Sequence, residues 1–401
     1  MIFLQTMRKK LDLGLLILIA SMLIGIFSKM SIFQILENFL FASIDSATVN
    51  VVGIIILIGI LGNILREGGI LQKINFSMES FIKNKRLTLI APSVLMGLLP
   101  VPAGAMLSAP MVEEAGNRMQ LNAEIKTFLN YWFRHPWEFS WPIYPGLILA
   151  SSILNISIHK LIFTQLPLMV VALAVGYIFG LRKVPHAKAL VEKKNKLTKN
   201  ARKKDAYMFF FHLWPIFAII MLVLVLNIEL ILSLFIILIF AFLTTKISKK
   251  RIPFIIKNSL SWRIILLIIS VMVFKRILIT SGVLPIVAEL FKRIGISPLV
   301  TLFSIPFVAG ILTGLSMASI PITLPLFLPI IGIDNPNLYY AMLVYTGGVC
   351  GYLLSPLHLC LVTTTAYFKA DFSRVYKLII LPVFFVAAAS FVIVFLHGFF
   401  G

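Results

Sequence analysis

The chain has 401 residues, of which 60% are hydrophobic and only 13% are charged, and its mean hydropathy is +1.01. This composition excludes an ordinary soluble domain, because the apolar runs are long enough to span a lipid bilayer. The net charge of +21 does not indicate nucleic-acid binding, because the basic residues lie in short loops between apolar segments. The sequence therefore predicts an all-α polytopic membrane protein whose surroundings are the lipid bilayer.

We predict about nine transmembrane helices. The first follows the basic residues 8–10, and we expect it to be retained because no small-residue cleavage site of a signal peptide follows it. The predicted spans are 11–28, 48–66, 124–156, 160–181, 206–227, 229–245, 262–281, 337–368 and 376–398. Two of them, 124–156 and 337–368, exceed the length of about 20 residues that one span needs and contain Gly and Pro. We predict that both are broken helices.

Two further apolar segments, 87–117 and 298–331, carry Gly, Pro, Ser and Thr near their middles. Pro disturbs a helix interior, and in lipid such a break survives only where it is buried in protein or lines a polar cavity. We predict that each segment is a re-entrant helical hairpin, the first entering from the inner face and the second from the outer face. A short amphipathic stretch precedes each hairpin, at 71–83 and 283–293, and is expected to lie flat at the interface.

The distribution of basic residues predicts the orientation. With this layout, 29 of the 36 Lys and Arg residues fall on the inner side and 4 on the outer side, which agrees with the positive-inside rule. We therefore expect a multi-pass protein of the cell (plasma) membrane, with a cytoplasmic N-terminus and an external C-terminus. The basic segment 182–205 is predicted to be a cytoplasmic linker between two halves, 1–181 and 206–401.

The two halves share a sequence layout. Residues 64–71 align with 277–284, and Gly97 aligns with Gly310, both at an offset of 213, while Pro142 aligns with Pro356 at an offset of 214. A near-constant offset through a span end, a hairpin and a broken helix predicts a repeat. Because the span 206–227 has no partner in the first half, the two copies are predicted to have opposite orientation. In transporters, paired broken segments of this kind form the substrate site near the middle of the membrane.

The first broken helix carries three ionisable residues, Arg134, His135 and Glu138. A charge at this depth normally faces a partner or a water-filled path. Arg134 is suited to hold a carboxylate through two parallel hydrogen bonds, and Glu138 or His135 is suited to carry a coupling proton. The alternative is that Arg134 and Glu138, four residues apart, only pair with each other.

The second broken helix contains Gly347, Gly348, Gly351 and Pro356, followed by His358. An opened backbone there would offer carbonyls to a cation and helix N-termini to an anion. The alternative for the glycines is close helix packing by small residues. The alternative for His358 is a structural histidine with its own hydrogen bonds.

These considerations give two predicted sets of site residues. The substrate-binding set is Arg134, His135, Pro100, Ala103, Gly104, Ser108, Thr313, Ser316, Ser319, Gly347, Gly348, Ser355 and His358. The ion-coupling set is Glu138, Asn130, Thr346 and Thr363. Cys350 and Cys360 would lie roughly 15 Å apart on a helix, too far for a disulfide. No sequence cluster of Cys and His resembles a metal site, so we predict no metal and no other cofactor beyond a transported H⁺ or Na⁺.

Two motifs carry a family resemblance. Residues 98–110, Leu-Leu-Pro-Val-Pro-Ala-Gly-Ala-Met-Leu-Ser-Ala-Pro, and 130–138, Asn-Tyr-Trp-Phe-Arg-His-Pro-Trp-Glu, resemble an integral-membrane family labelled as a domain of unknown function. That family is distantly similar to the gluconate, citrate and dicarboxylate permeases of the ion-transporter superfamily. The resemblance covers nearly the whole chain and implies a homodimer with an elevator-type movement. The Ser-Asn-Thr hairpin signature of the dicarboxylate branch is missing, so the ligands of that branch cannot be transferred.

The sequence predicts a secondary active transporter, a symport permease for a small organic anion coupled to H⁺ or Na⁺. The first alternative is a channel or passive facilitator for an anion or small solute. An intramembrane enzyme is disfavoured, because no second carboxylate accompanies Glu138 and no nucleotide-binding or hydrolase motif occurs.

Overall fold

The computed structural model describes residues 12–70, 72–74, 77, 82, 84–99, 104–184, 199–245, 247–293 and 295–400. Within these ranges every regular element is a helix, which confirms the predicted all-α class. The helices are α1 (Leu13–Phe27), α2 (Ile32–Ile44), α3 (Ser46–Glu67), α4 (Lys85–Leu98), α5 (Gly104–Arg118), α6 (Ala123–Trp132), α7 (Pro145–Leu154), α8 (Ile158–Phe179), α9 (Lys199–His212), α10 (Trp214–Ile219), α11 (Leu230–Thr244), α12 (Ile252–Ser259), α13 (Trp262–Thr280), α14 (Val283–Arg293), α15 (Pro298–Thr313), α16 (Ser316–Thr323), α17 (Leu328–Ile331), α18 (Leu338–Leu353), α19 (Leu359–Phe368) and α20 (Phe372–Phe400).

Several of these helices have the dimensions of membrane spans. Ser46–Glu67, Ile158–Lys183 and Phe372–Gly398 are each long and apolar enough to cross a bilayer, and two bent helix pairs raise the number to five. Other apolar helices of the described chain are shorter, with 10–17 residues. This is the helix content expected of a membrane protein. The count of nine spans stays a prediction, because several predicted spans correspond to pairs of short helices.

The first predicted broken helix is interrupted between α6 and α7. α6 begins at the N-cap Asn122 and ends at Trp132, a 3₁₀ turn spans Pro136–Phe139, and α7 begins at Pro145. Because a proline has no backbone N–H to donate and its ring clashes with the preceding turn, α6 cannot continue through Pro136. The interruption leaves about a dozen residues of non-α backbone between two helices in the interior of the protein.

The second broken helix opens later in the sequence than predicted. α18 is continuous through all three of its glycines, and the break lies between Leu353 and Leu359. A Cβ on Gly347 would overlap the carbonyl oxygen of Phe303, and a Cβ on Gly351 would overlap that of Phe307. The glycines therefore permit close packing of α18 on α15, and the expectation that they open the backbone is wrong.

The first predicted hairpin segment contains two helices, and the second contains α15, α16 and the short α17. α4 and α5 pack against each other, and the residues that connect them, 100–103, lie outside the described residues, including the predicted site residues Pro100 and Ala103. α15 and α16 are joined by Gly314, whose φ of 64° is left-handed and favours glycine. A Cβ there would lie 3.0 Å from the backbone nitrogen of His358. The second tip thus packs on the second helix break.

Two helices were not predicted, α2 and α12. α2 carries a capping box in which Ser31 accepts from the Gln34 backbone and the Gln34 side chain accepts from the Ser31 backbone. This Ser-x-x-Gln pattern is a sequence signature of a helix N-terminus, so the start of α2 could have been predicted from it. Of the two predicted amphipathic stretches, 283–293 is the helix α14, whereas most of 71–83 and most of the linker 182–205 lie outside the described residues.

Candidate functional site

The two helix breaks and the two hairpin tips meet in the interior. Gly104, the first residue of α5, lies against Arg134 in the first break. Gly314 and Ser316, at the second tip, contact His358 in the second break and Glu138 in the first. The contact between Ser316 and Glu138 joins residues that are 178 positions apart in the sequence.

Arg134 is a half-buried cation with an unused donor. Its Nη1 atom is buried and has no hydrogen-bond partner within the described chain. A Cβ built on Gly104 would overlap Nη1 and lie 3.0 Å from Cζ, so the guanidinium lies directly beside the N-terminus of α5. A helix N-terminus favours anions because of its free N–H groups and the helix dipole. The guanidinium of Arg134 and the N-terminus of α5 thus both favour an anion at the same position.

Glu138 is buried, with 8% of its surface exposed. Its Oε2 atom accepts a hydrogen bond of 3.0 Å from Ser316, and its Oε1 atom lies 4.0 Å from Nε2 of His135. No ion pair within 4.0 Å joins Glu138 to Arg134 among the residues that the structure describes. The geometry disfavours the alternative in which these two charges only pair with each other.

His135 and His358 form a buried pair whose Nε2 atoms are 3.1 Å apart. The Nδ1 atom of His135 lies 2.7 Å from the carbonyl oxygen of Tyr131, and that of His358 lies 3.0 Å from the carbonyl oxygen of Gly314. Since a carbonyl oxygen can only accept, each Nδ1 must carry the hydrogen of its bond. Both rings are thereby oriented by the backbone, one from α6 and one from the second hairpin tip.

A third residue joins the histidine pair. The Sγ atom of Cys360 and the Nε2 or Nδ1 ligand atoms of His135 and His358 all lie within 4.8 Å of one another. The sequence predicted no metal because His135 lies more than two hundred positions before His358 and Cys360, which are themselves two positions apart. The fold brings the three side chains together, and the absence of a metal stays a prediction.

Asn130 is the centre of a separate buried polar network. Its Oδ1 atom accepts hydrogen bonds from Ser93 (3.1 Å) and Ser108 (2.6 Å), and its Nδ2 atom donates to the carbonyl of Ala105 and, at 3.4 Å, to Thr364. The network ties α4, α5, α6 and α19 together one turn away from Arg134. Asn130 and Ser108 were predicted site residues, whereas Ser93 and Thr364 were missed.

Several predicted hydroxyl residues do not join the cluster. Their hydroxyls donate to a carbonyl four residues earlier in the chain: Thr313 to Ala309, Ser319 to Leu315, Thr346 to Met342 and Thr363 to Leu359. Ser355 instead stabilises the second break, because its hydroxyl donates to the carbonyl of Ile311 and accepts from the Leu357 N–H. Gly348 packs on Ile320 of α16. These contacts are structural.

Two tyrosines that sequence reasoning missed connect the breaks. Tyr131 in α6 donates to the carbonyl of Leu353 at 2.8 Å, and Tyr345 in α18 donates to the carbonyl of Glu138 at 2.6 Å. Each tyrosine satisfies a carbonyl that the interrupted helix of the other half leaves without its usual partner. The two tyrosines lie 214 residues apart, which is the predicted repeat offset, and this was a signal that could have identified them.

The apolar helices around this buried polar site are those expected of a membrane protein. The chain belongs to the family described as "Protein of unknown function (DUF401)", which matches residues 1–397. This match confirms the predicted resemblance to a family of unknown function over nearly the whole chain. No curated protein matches the chain. The similarity to gluconate, citrate and dicarboxylate permeases stays a prediction.

Proposed function

We propose that this protein is a secondary active transporter that carries a small organic anion across the cell membrane, coupled to H⁺ or Na⁺. The observation that carries the proposal is the buried Nη1 of Arg134, which has no hydrogen-bond partner within the described chain. A buried donor without a partner costs about 1–3 kcal/mol, and more when it is charged. A carboxylate bound there would remove this cost and would also lie at the N-terminus of α5.

The relation between the two halves supports this proposal. α7 (Pro145–Leu154) and α19 (Leu359–Phe368) each have 10 residues and begin 214 positions apart. Asn155 and Lys369, which follow them, both have a φ of 53°. We propose that these are equivalent elements of an inverted repeat, with the anion site between the broken helices, as in transporters that alternate between two open states.

The same proposal includes the predicted arrangement in the membrane. The nine spans follow from the apolar segments of the sequence, and the cytoplasmic N-terminus and the external C-terminus follow from its charge bias. An elevator-type movement would carry the hairpins and broken helices past the remaining helices, within a homodimer. Labelling of a cysteine introduced at each terminus, measured in intact cells, tests the orientation. A molecular-mass measurement of the detergent-solubilised protein tests the dimer.

Glu138 is the residue that we propose for coupling. A buried carboxylate requires a compensating cation, and Arg134 lies beyond ion-pair distance within the described chain. A cation that enters with the anion would supply this compensation. Ser316 at the second hairpin tip donates to the Glu138 carboxylate. The protonation of Glu138 therefore affects a hydrogen bond to the tip that we expect to act as a gate.

The test is uptake of radiolabelled succinate, citrate and gluconate by proteoliposomes that contain the purified protein. One set of vesicles has an inward Na⁺ gradient, a second has an inward H⁺ gradient, and a third has neither. We expect one anion to accumulate against its own gradient in one of the first two sets. Arg134→Ala should reduce this uptake at least tenfold, whereas Arg118→Ala, a change of an exposed arginine paired with Glu114, should not.

Three results would contradict the proposal. Uptake that only equilibrates the anion, whatever the gradient, would identify a passive facilitator. Undiminished uptake by the Arg134→Ala variant would show that Arg134 does not bind the anion. Absence of transport for all three anions, together with no thermal stabilisation of the protein by millimolar concentrations of each, would remove small organic carboxylates as substrates.

A further inference from the structure

We propose that His135, His358 and Cys360 form a binding site for a Zn²⁺ ion. These residues come from three positions: the first helix break, the second helix break and the first turn of α19. Their ligand atoms lie within 4.8 Å of one another, and both histidines are buried. Imidazole nitrogen and thiolate sulfur are the ligand types that zinc prefers in proteins.

The backbone hydrogen bonds of the two imidazoles carry the argument. Each Nδ1–H is held by a carbonyl, of Tyr131 for His135 and of Gly314 for His358. In the neutral rings, both Nε2 atoms therefore carry a lone pair rather than a hydrogen, and the two atoms are 3.1 Å apart. Two acceptors at this distance repel unless a cation lies between them. Metal-binding histidines have this same pattern, with the second ring nitrogen donating to a carbonyl or carboxylate.

The spacing of the nitrogens suits tetrahedral coordination. With Zn–N distances of about 2.0–2.1 Å, two nitrogens 3.1 Å apart subtend an angle of about 100° at the metal, near the tetrahedral value. A thiolate at a Zn–S distance of about 2.3 Å would lie about 3.6 Å from each nitrogen. The Cys360 sulfur, within 4.8 Å, reaches that position with a movement of about 1 Å. Binding would displace the thiol proton to solvent, so that one H⁺ is released for each Zn²⁺ bound.

The fourth coordination position points to the anion of the proposed function, and this part of the inference depends on that function. Glu138 lies 4.0 Å from His135 Nε2 and, together with a Cys360 thiolate, would contribute two negative charges. Zn²⁺ and Arg134 would contribute three positive ones. One uncompensated positive charge in a buried site strongly favours an anion. The metal would therefore make the site selective for an anionic group that can approach both Zn²⁺ and the guanidinium.

Metal binding is tested on the purified full-length chain in detergent, after treatment with a chelator. Zn²⁺ is titrated in competition with a chromophoric indicator, and Co²⁺ is titrated as a spectroscopic substitute. We expect one ion per chain, release of one proton for each ion, and a near-ultraviolet thiolate-to-Co²⁺ absorption band. Cys360→Ser, a change of one atom, should abolish the band and weaken Zn²⁺ binding at least tenfold. His358→Asn should weaken binding as strongly.

Cys350→Ala is the matched control, because this buried cysteine lies in α18 and its thiol contacts the Val383 carbonyl rather than the histidines. It should retain the absorption band and the affinity.

Equal thermal stability of the metal-free proteins shows that the variants fold. The proposal is overturned if the parent protein binds no stoichiometric Zn²⁺ at micromolar concentrations, or if Cys360→Ser binds it unchanged. Binding unaffected by Cys360→Ser but abolished by His358→Asn would also overturn the three-residue site, because the ion would then be held by the histidines without the thiolate. Because no transport is measured, this result is independent of the anion-transport test.

Discussion

The guanidinium of Arg134 fills the space that a Cβ on Gly104 would need. The glycine at the start of α5 is thus the reason that a cation can lie beside the helix N-terminus. This contact between Gly104 and Arg134 depends on the absence of one methyl group, so a Gly104→Ala substitution tests it.

We predict that Gly104→Ala displaces the Arg134 side chain without unfolding the protein. The atoms that the new methyl group would meet are the end of a flexible side chain, so we expect a stability change of about 1 kcal/mol or less. Uptake of the transported anion should fall about tenfold or more, as binding geometry is lost. Thermal unfolding and proteoliposome uptake measure the two effects.

Gly116→Ala is the matched control in the same helix. A Cβ there would lie 2.7 Å from Cγ and Cδ of Lys126, which is again a flexible basic side chain, and Gly116 lies about 18 Å along the helix from Gly104. It should disturb stability as little as Gly104→Ala does and leave uptake unchanged. Equal loss of uptake in both variants would show that the effect does not arise from Arg134.

The hydrogen bonds of Tyr131 and Tyr345 predict equal and separate stability losses. Each Tyr→Phe change leaves one buried carbonyl, of Leu353 or of Glu138, without its donor. We expect each to reduce the free energy of unfolding by about 1–2 kcal/mol, read as a lower melting temperature in detergent. Tyr207→Phe, at a position that is 66% exposed, should leave the melting temperature unchanged. A loss at one tyrosine only would contradict the proposed equivalence of the two halves.

The packing of α18 on α15 predicts a severe effect of Gly351→Ala. The added methyl group would overlap the carbonyl oxygen of Phe307 and lie 2.8 Å from its carbon, and a helix backbone cannot yield as a side chain does. We expect a loss of about 3 kcal/mol or more, seen as aggregation or absence of a monodisperse peak in size-exclusion chromatography. Gly398→Ala, where nothing lies within 4 Å of the added atom, should behave as the parent protein. A Gly351→Ala variant of normal stability would mean that α15 and α18 do not pack this closely.

Part of the fold could be predicted because it depends on local chemistry. Pro136 and Pro356 lie in apolar segments too long for one helix, and both segments are interrupted at these residues. The role of the glycines in α18 was harder to predict, because glycine permits both an opened backbone and close helix packing. Only the carbonyls of α15, which come from another part of the sequence, decide between these alternatives.

The candidate site was predictable to a similar extent. Arg134, His135, Glu138 and His358 were identified because ionisable residues are costly in apolar surroundings. Cys360 was not, because its relation to His135 is created by the meeting of two helix breaks. Thr346 and Thr363 were predicted from their hydroxyls, but each donates to its own helix, a choice that residue type cannot reveal.

The bond between His358 and the Gly314 carbonyl makes the second hairpin tip dependent on one tautomer. The imidazole donates to the tip only while Nδ1 carries the hydrogen, and it faces His135 with a lone pair only in that same state. If the ring moved its hydrogen to Nε2, this hydrogen bond and the lone pair would both be lost. The proposed zinc site and this contact of the tip therefore depend on the same tautomer of one imidazole ring.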